Sequence, residues 1–418
     1  MTERQWNPNM CIRLVYVLAC LFLLLTACSQ PSTMQDEQTI PTFSEREQVA
    51  PIADMPVSYI DEQLEKMSLD EKIGQLIIVG MKGKTYDDEL DRLIRHYHVG
   101  GIIVLGKNVS TPTGIVQLLN EAKVANKDYS IPLFLSVDEE GGRVSRLPAG
   151  MKKLPAAASI GQKEDVALAY KSGVYLAELL HAFGYNTNYA PVLDVNSNPK
   201  NPVIGDRSYS SNPQIVTQHA LSVRKGMVDN GVISIVKHFP GHGDTHIDSH
   251  KSLPVIDKNI DELIATELVP FQQAIAQEVD GIMIAHILFP ALDVTNPSSL
   301  SKKVITDFLR EELGYEGVVV TDDLTMGAIT NAYTVPEAGL QAFIAGSDLL
   351  LIAGDYANQV KTIETLKDAV FTGTISEERI DESVRRILEL KHRYNLADDI
   401  VGQIDVNALN KQAKEALR

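Results

Sequence analysis

The sequence predicts an α/β chain folded as a closed (β/α)8 TIM barrel, and three observations lead there. From Ser68 onward, short apolar runs alternate with amphipathic helical stretches. Runs such as Ile102-Ile103-Val104-Leu105 show no polar alternation, as expected of parallel strands buried on both faces. Eight such strand-helix units occupy roughly 300 residues, which suits a closed barrel. A doubly wound open sheet is the rival arrangement, but no glycine-rich dinucleotide fingerprint follows the first run.

In chain order the expected strands are Leu76 to Val79, Gly101 to Leu105, Pro132 to Val137 and Asn188 to Pro191. They continue with Val232 to Val236, Gly281 to Ala285, Gly317 to Val320 and Asp348 to Ile352. Helical periodicity marks Asp88 to His96, Gly114 to Ala125, Asp165 to Ala182 and Ile260 to Ala276. Ile375 to Tyr394 reads as a helix packed on the outside, and 396–418 as a polar tail. The barrel domain thus spans 56–395.

The N-terminus reads as an export signal over 1–27. An apolar run from Ile12 to Ala27 is flanked by Arg4 and Arg13 and is too short for a comfortable membrane span. It closes with Leu25-Thr26-Ala27-Cys28, which resembles a bacterial lipobox, so Cys28 is the expected lipidated N-terminus. Residues 28–55, rich in Ser, Thr, Gln, Pro and Glu, read as a flexible tether. These features predict an exported lipoprotein anchored on the outer side of the cytoplasmic membrane. Cys11 and Cys20 would leave with the signal, and with Cys28 lipidated no thiol remains for disulfides, nucleophiles or thiolate metal sites.

Composition narrows the function. Across 418 residues, 38 Lys and Arg face 55 Asp and Glu, for a net charge of -17. Such a chain repels a phosphate backbone, which argues against nucleic-acid binding. No cluster calls for a metal or organic cofactor, and a tethered monomer is the default expectation.

A barrel places chemistry at the C-terminal ends of its strands. Asp138 follows the third run, Asp194 the fourth, Lys237 and His238 the fifth, His286 the sixth, and Asp322-Asp323 the seventh. The segment from Lys237 to His250 carries histidines at 238, 242, 246 and 250, a spacing that on a helix would suggest zinc. Pro240, Gly241 and Gly243 break any such helix, so the segment reads as a loop. In an extended turn, Asp248 and His250 point the same way. The carboxylate would fix the imidazole tautomer and leave the other nitrogen to move a proton. The Gly- and Pro-containing loop is also suited to closing over a bound ligand.

The run Lys237-His238-Phe239-Pro240-Gly241-His242-Gly243, followed by Asp248-Ser249-His250, resembles the signature of bacterial β-N-acetylglucosaminidases of glycoside hydrolase family 3. Gly317 to Leu324 is similar to the family's nucleophile segment, and Asp138 to Arg146 and Gly205 to Tyr209 to its sugar-binding segments. The resemblance covers roughly residues 60 to 395. It implies Asp322 as nucleophile, His250 as acid/base and Asp248 as its partner. Asp138, Arg146, Arg207, Lys237 and His238 would bind the sugar.

Two departures stand out: many exported relatives carry a second domain, and compact relatives are cytosolic, whereas this chain carries an export signal. The implied activity is retaining, exo-acting release of β-linked N-acetylglucosamine from glycans or muropeptides. Three alternatives stay open at this level. The Asp322-Asp323 pair could serve substrate-assisted catalysis, the same site could release sugar to phosphate as a phosphorylase, or the chain could be a muropeptide-binding lipoprotein.

Overall fold

The computed structural model describes residues 57–417; the expected signal, Cys28 and the whole of the expected tether lie outside the described residues. Two short helices, α1 (Val57–Lys66) and α2 (Leu69–Gln75), lead into β1 (Ile77–Val79). The remaining strands are β2 (Gly101–Val104), β3 (Phe134–Val137), β4 (Thr187–Asn188), β5 (Ile233–Phe239), β6 (Gly281–Ile284), β7 (Val318–Thr321) and β8 (Leu350–Ile352). Neighbours pair in parallel from β1 through β7, and β8 returns to pair with β1. A bridge between Val320 and Leu349 joins β7 to β8 and completes the ring. Every residue of these strands is buried, which is why the apolar runs lack alternation.

Helices wrap the barrel: α3 (Asp88–Arg95), α4 (Pro112–Asn126), α5 (Ala157–Gly161), α6 (Val166–Phe183), α7 (Pro213–Val228), α8 (Ile260–Ala265) and α9 (Val269–Ala276). A helical segment at Lys303–Glu312 follows β6. Then come α10 (Gly327–Thr330), α11 (Val335–Ala345), α12 (Tyr356–Phe371), α13 (Glu377–Arg393) and α14 (Val406–Ala416). Their starts are written in the sequence. Asp87, Thr111, Asp165, Asn212, Thr334, Asp355 and Ser376 each accept a first-turn N–H through a side-chain oxygen. Helix α6 stops at Gly184, whose φ of 95° is open to glycine without strain.

The structure departs from the sequence reading in four places. Strand β4 is confined to Thr187–Asn188, and beyond Pro191, which has no N–H to donate, pairing with β5 resumes only as a bridge between Val192 and Lys237. Strand β5 runs on to Phe239, so Lys237 and His238 lie in the strand rather than after it, at a register shift against β6. The single helix expected from Ile260 to Ala276 divides into α8 and α9, with Pro270 in the first turn of the second. Finally, 396–418 is more than a polar tail. Asp405 caps α14, whose Leu409 and Ala413 are buried against α6.

No helix among the described residues is long and apolar enough to cross a membrane. Ion pairs seal the N-terminal end of the barrel. Asp348, just before β8, meets Arg310 at 2.6 Å and Arg386 at 3.2 Å, and accepts from Ser383 Oγ at 2.6 Å. The opposite end is left open for chemistry.

Candidate active site

At the C-terminal end lies a cavity of about 410 Å³. Buried Ile103, Met283 and Leu351 project from β2, β6 and β8 to form apolar lining. Polar residues from the strand ends surround them. Asp138, Arg146, Arg207, Lys237, His238, His250 and Asp322 all line this one space, so the structure gathers these expected residues from four separate segments.

The strongest electrostatic feature is a chain of alternating charge. The buried Lys237 ammonium meets Asp138 Oδ1 at 2.6 Å and Glu140 Oε1 at 2.7 Å. Glu140 in turn receives Arg207 Nε and Nη2, each at 2.8 Å, in a bidentate pair. Burial works against the Glu140 charge, but Arg207 and Lys237 hold its carboxyl far below the usual range. Lys237 is held above its ordinary value, with burial outweighed by Asp138 and Glu140. His238 Nδ1 donates to Asp194 Oδ2 at 2.7 Å, and Arg207 Nη2 lies 3.4 Å from His238 Nε2. Both ends of the chain are therefore fixed before any ligand arrives.

Arg146 differs from the other cations in having an unspent donor. Its Nε is buried without a hydrogen-bond partner. Its backbone N–H donates to Glu139 Oε2 at 2.7 Å, which fixes the turn that carries it. Glu139 is itself buried, and burial raises its carboxyl to about 7.

Asp322 is the first residue after β7. Burial alone would push its carboxyl up, but His286, His238, the Asp323 N–H and Lys237 hold it below the usual range. Asp323 N donates to Asp322 Oδ1 at 2.8 Å, and His286 Nε2 donates to the Asp323 carbonyl at 2.9 Å. The adjacent carboxylate is engaged elsewhere. Asp323 Oδ1 accepts from Thr325 N and Ala353 N, both at 3.0 Å, and its Oδ2 accepts from Thr325 Oγ1 at 2.8 Å. Both residues line the cavity, but the Asp323 carboxylate is tied to Thr325 and Ala353, whereas Asp322 accepts from the Asp323 N–H.

The four histidines diverge, as a loop dictates. His238 turns to Asp194, His242 to Ser249, His246 to Asn198 and His250 to Asp248. His250, which lines the cavity, donates from Nδ1 to Asp248 Oδ1 at 2.9 Å, which leaves Nε2 free to take up and give back a proton. The His250 ring is 66% exposed, whereas Asp322 belongs to the buried side of the site. Burial raises the Asp248 carboxyl, but the N–H groups of His250 outweigh it and hold it low. Among the described residues no group of three or more His, Cys, Asp or Glu is placed to hold a metal ion.

Sequence reasoning passed over Glu140, which couples Lys237 to Arg207. Its signal was nonetheless present, because residues two apart in an extended chain share a side and Glu140 stands two after Asp138. His242 and the pairing role of Asp194 carried no such signal, since they depend on a loop crossing another loop.

Known proteins resemble this chain over most of its described residues. The model of the glycosyl hydrolase family 3 N terminal domain matches residues 68–390. Beta-hexosaminidase A of Pseudoalteromonas piscicida is 38% identical over 331 residues, which cover 73% of this chain; the match spans 55% of that relative's length. Beta-hexosaminidase LpqI of Mycobacterium tuberculosis is 32% identical over 389 residues, 91% of this chain and 97% of its own. Among solved structures, a glycoside hydrolase family 3 beta-N-acetylglucosaminidase from Paenibacillus superposes with a TM-score of 0.80 at 40% identity. That match covers 84% of this chain and 68% of the other.

Proposed function

Because the chain belongs to glycosyl hydrolase family 3, we propose that it is a retaining, exo-acting β-N-acetylglucosaminidase in which Asp322 is the nucleophile and His250 the acid/base. The observation that carries this reading is the presence in one cavity of a half-buried Asp322, held ionised by its neighbours, and a histidine whose Nδ1 is bound to Asp248. Asp322 attacks the anomeric carbon as the glycosidic bond breaks, and the departing oxygen takes the Nε2 proton of the His250 imidazolium. The sugar is then held covalently on Asp322. The now neutral His250 removes a proton from water, which attacks the same carbon and releases Asp322 as the carboxylate. Asp248 stabilises the ring while it is charged and keeps it in the useful tautomer.

Around the sugar, Arg146 and Arg207 offer donors to hydroxyl and acetamido oxygens, while Asp138 accepts. The engagement of both Asp323 oxygens by Thr325 and by Ala353, just after β8, supports attack by Asp322 over assistance from the substrate's acetamido group. For the natural substrate we infer peptidoglycan fragments bearing terminal N-acetylglucosamine. The lipobox-like Leu25 to Cys28 supports placement at the envelope, where such glycans lie.

The test is nitrophenol release from an aryl β-N-acetylglucosaminide by residues 29 to 418, beside the matching β-glucoside and with or without phosphate. The expected result is activity on the acetamido sugar that is lost in Asp322→Ala and falls about 10²- to 10⁴-fold in His250→Ala. Turnover that depends on phosphate would make the protein a phosphorylase instead. An active Asp322→Ala variant would remove the nucleophile assignment.

A further inference from the structure

We propose that His242 is a positioning residue for the acid/base, acting through Ser249; the inference rests on His250 having the role assigned above. Ser249 stands between Asp248 and His250, and its side chain turns the opposite way from theirs, into the protein. Ser249 and His242 are each 2% exposed, whereas His250 is 66% exposed. His242 Nε2 lies 3.1 Å from Ser249 Oγ, and His242 Nδ1 lies 3.2 Å from Thr245 Oγ1. A neutral imidazole satisfies both, donating at one nitrogen and accepting at the other. Burial keeps it neutral by pulling its pKa down to about 4.

The ring that holds Ser249 is itself bolted down. His242 N donates to Asp194 Oδ1 at 2.6 Å, and Asp194 Oδ2 accepts from His238 at 2.7 Å. Asn201 Nδ2 donates to the carbonyls of His242 and Gly243 at 2.8 and 2.9 Å, and Asn198 Nδ2 to that of Thr245 at 3.0 Å. Gly243 lies so close to the chain after β4 that a Cβ there would stand 1.6 Å from the Val195 carbonyl oxygen. On the far side, Ala328 N donates to the Ser249 carbonyl at 3.1 Å, and Asn331 Nδ2 to that of Lys251 at 2.9 Å.

Asp248 and His250 therefore stand on the outer side of a backbone whose inward side chain is held from the barrel. The link runs from the carboxylate that orients His238, through His242 and Ser249, to the proton donor. It lets an exposed histidine keep a defined height above the sugar without contacts to its own ring beyond Asp248. Misplacing a reacting group by about 1 Å can cost roughly 10²-fold in rate, so a bond removed two steps from the proton is expected to register.

The test compares Ser249→Ala, His242→Leu and His242→Gln with wild type and with His250→Ala. Two substrates are used: the β-linked N-acetylglucosamine dimer, whose leaving oxygen needs a proton, and the dinitrophenyl β-N-acetylglucosaminide, whose leaving group does not. The readout is kcat/KM for each, with the basic limb of its pH profile. Ser249→Ala and His242→Leu are expected to lower kcat/KM on the dimer about 10-fold or more and to stay within about threefold on the dinitrophenyl sugar. His242→Gln, which retains a donor and an acceptor, is expected to recover part of the loss.

Equal losses on both substrates, or no loss on either, would overturn the proposal, and Ser249→Ala decides it if His242→Leu does not fold. His250→Ala separates the two levels. If it fails to discriminate between the leaving groups, the acid/base assignment falls and the proposal with it. If it discriminates and Ser249→Ala does not, only the positioning role falls.

Discussion

Glu139 shows how a residue outside the cavity shapes those inside it. Its Oε2 accepts the Arg146 N–H, while its Oε1 is buried without a partner. A glutamate in the unfolded chain ionises near pH ~4.3, whereas in the fold Glu139 keeps its proton up to about 7. Below the first value both states are neutral and nothing is lost. Between the two, the unfolded state ionises first, so stability falls as pH rises, by roughly 3 kcal/mol in all. Above the second value the deficit is constant. Glu139→Gln mimics the protonated form and should match wild type at about pH 4 but exceed it at about pH 8 in unfolding midpoint. A difference that does not vary with pH would refute this. Glu140, one residue on, behaves oppositely. Its depressed pKa adds stability that is present above pH ~4.3 and is lost in strong acid.

At the scale of elements, the barrel was legible because each strand is buried on both faces and most of the longer helices begin with a capping side chain. What sequence alone obscured was length and continuity. Nothing in Val232 to Phe239 announces that the strand carries Lys237 and His238 within it, because the two polar side chains resemble a strand's end. Pro270 lies inside a continuous apolar period, and only packing decides that two short helices replace one. Helix α14 escaped notice for a related reason: it buries little beyond Leu409 and Ala413, one turn apart. Leu409→Ala should lower stability by about 2 kcal/mol and leave kcat/KM unchanged, as thermal unfolding beside a rate assay would show. The candidate site followed the same division. Strand-end residues could be placed from the barrel rule, whereas the His242–Ser249 link needed the loops' three-dimensional course.

The whole molecule separates stability from chemistry between its two ends. At the sealed end, Asp348 is buried among Arg310, Arg386 and Ser383, and those arginines, against the pull of burial, hold its carboxyl low. Asp348→Asn leaves these cations without their counter-charge. It should cost about 3–5 kcal/mol in denaturant unfolding, with kcat/KM of the folded fraction unchanged. A loss of turnover without loss of stability would contradict the division.

The open end has a consequence for how a glycan is consumed. The cavity of about 410 Å³ is lined by Ile103, Met283 and Leu351, and His250 stands exposed at its rim. Under the proposed activity, one terminal sugar is swallowed while the remainder of the strand passes the exposed rim into solvent. Each cut then releases both halves. Digestion is distributive: every chain in a mixture shortens together, one residue per encounter, instead of one chain being eaten to its end before the next begins.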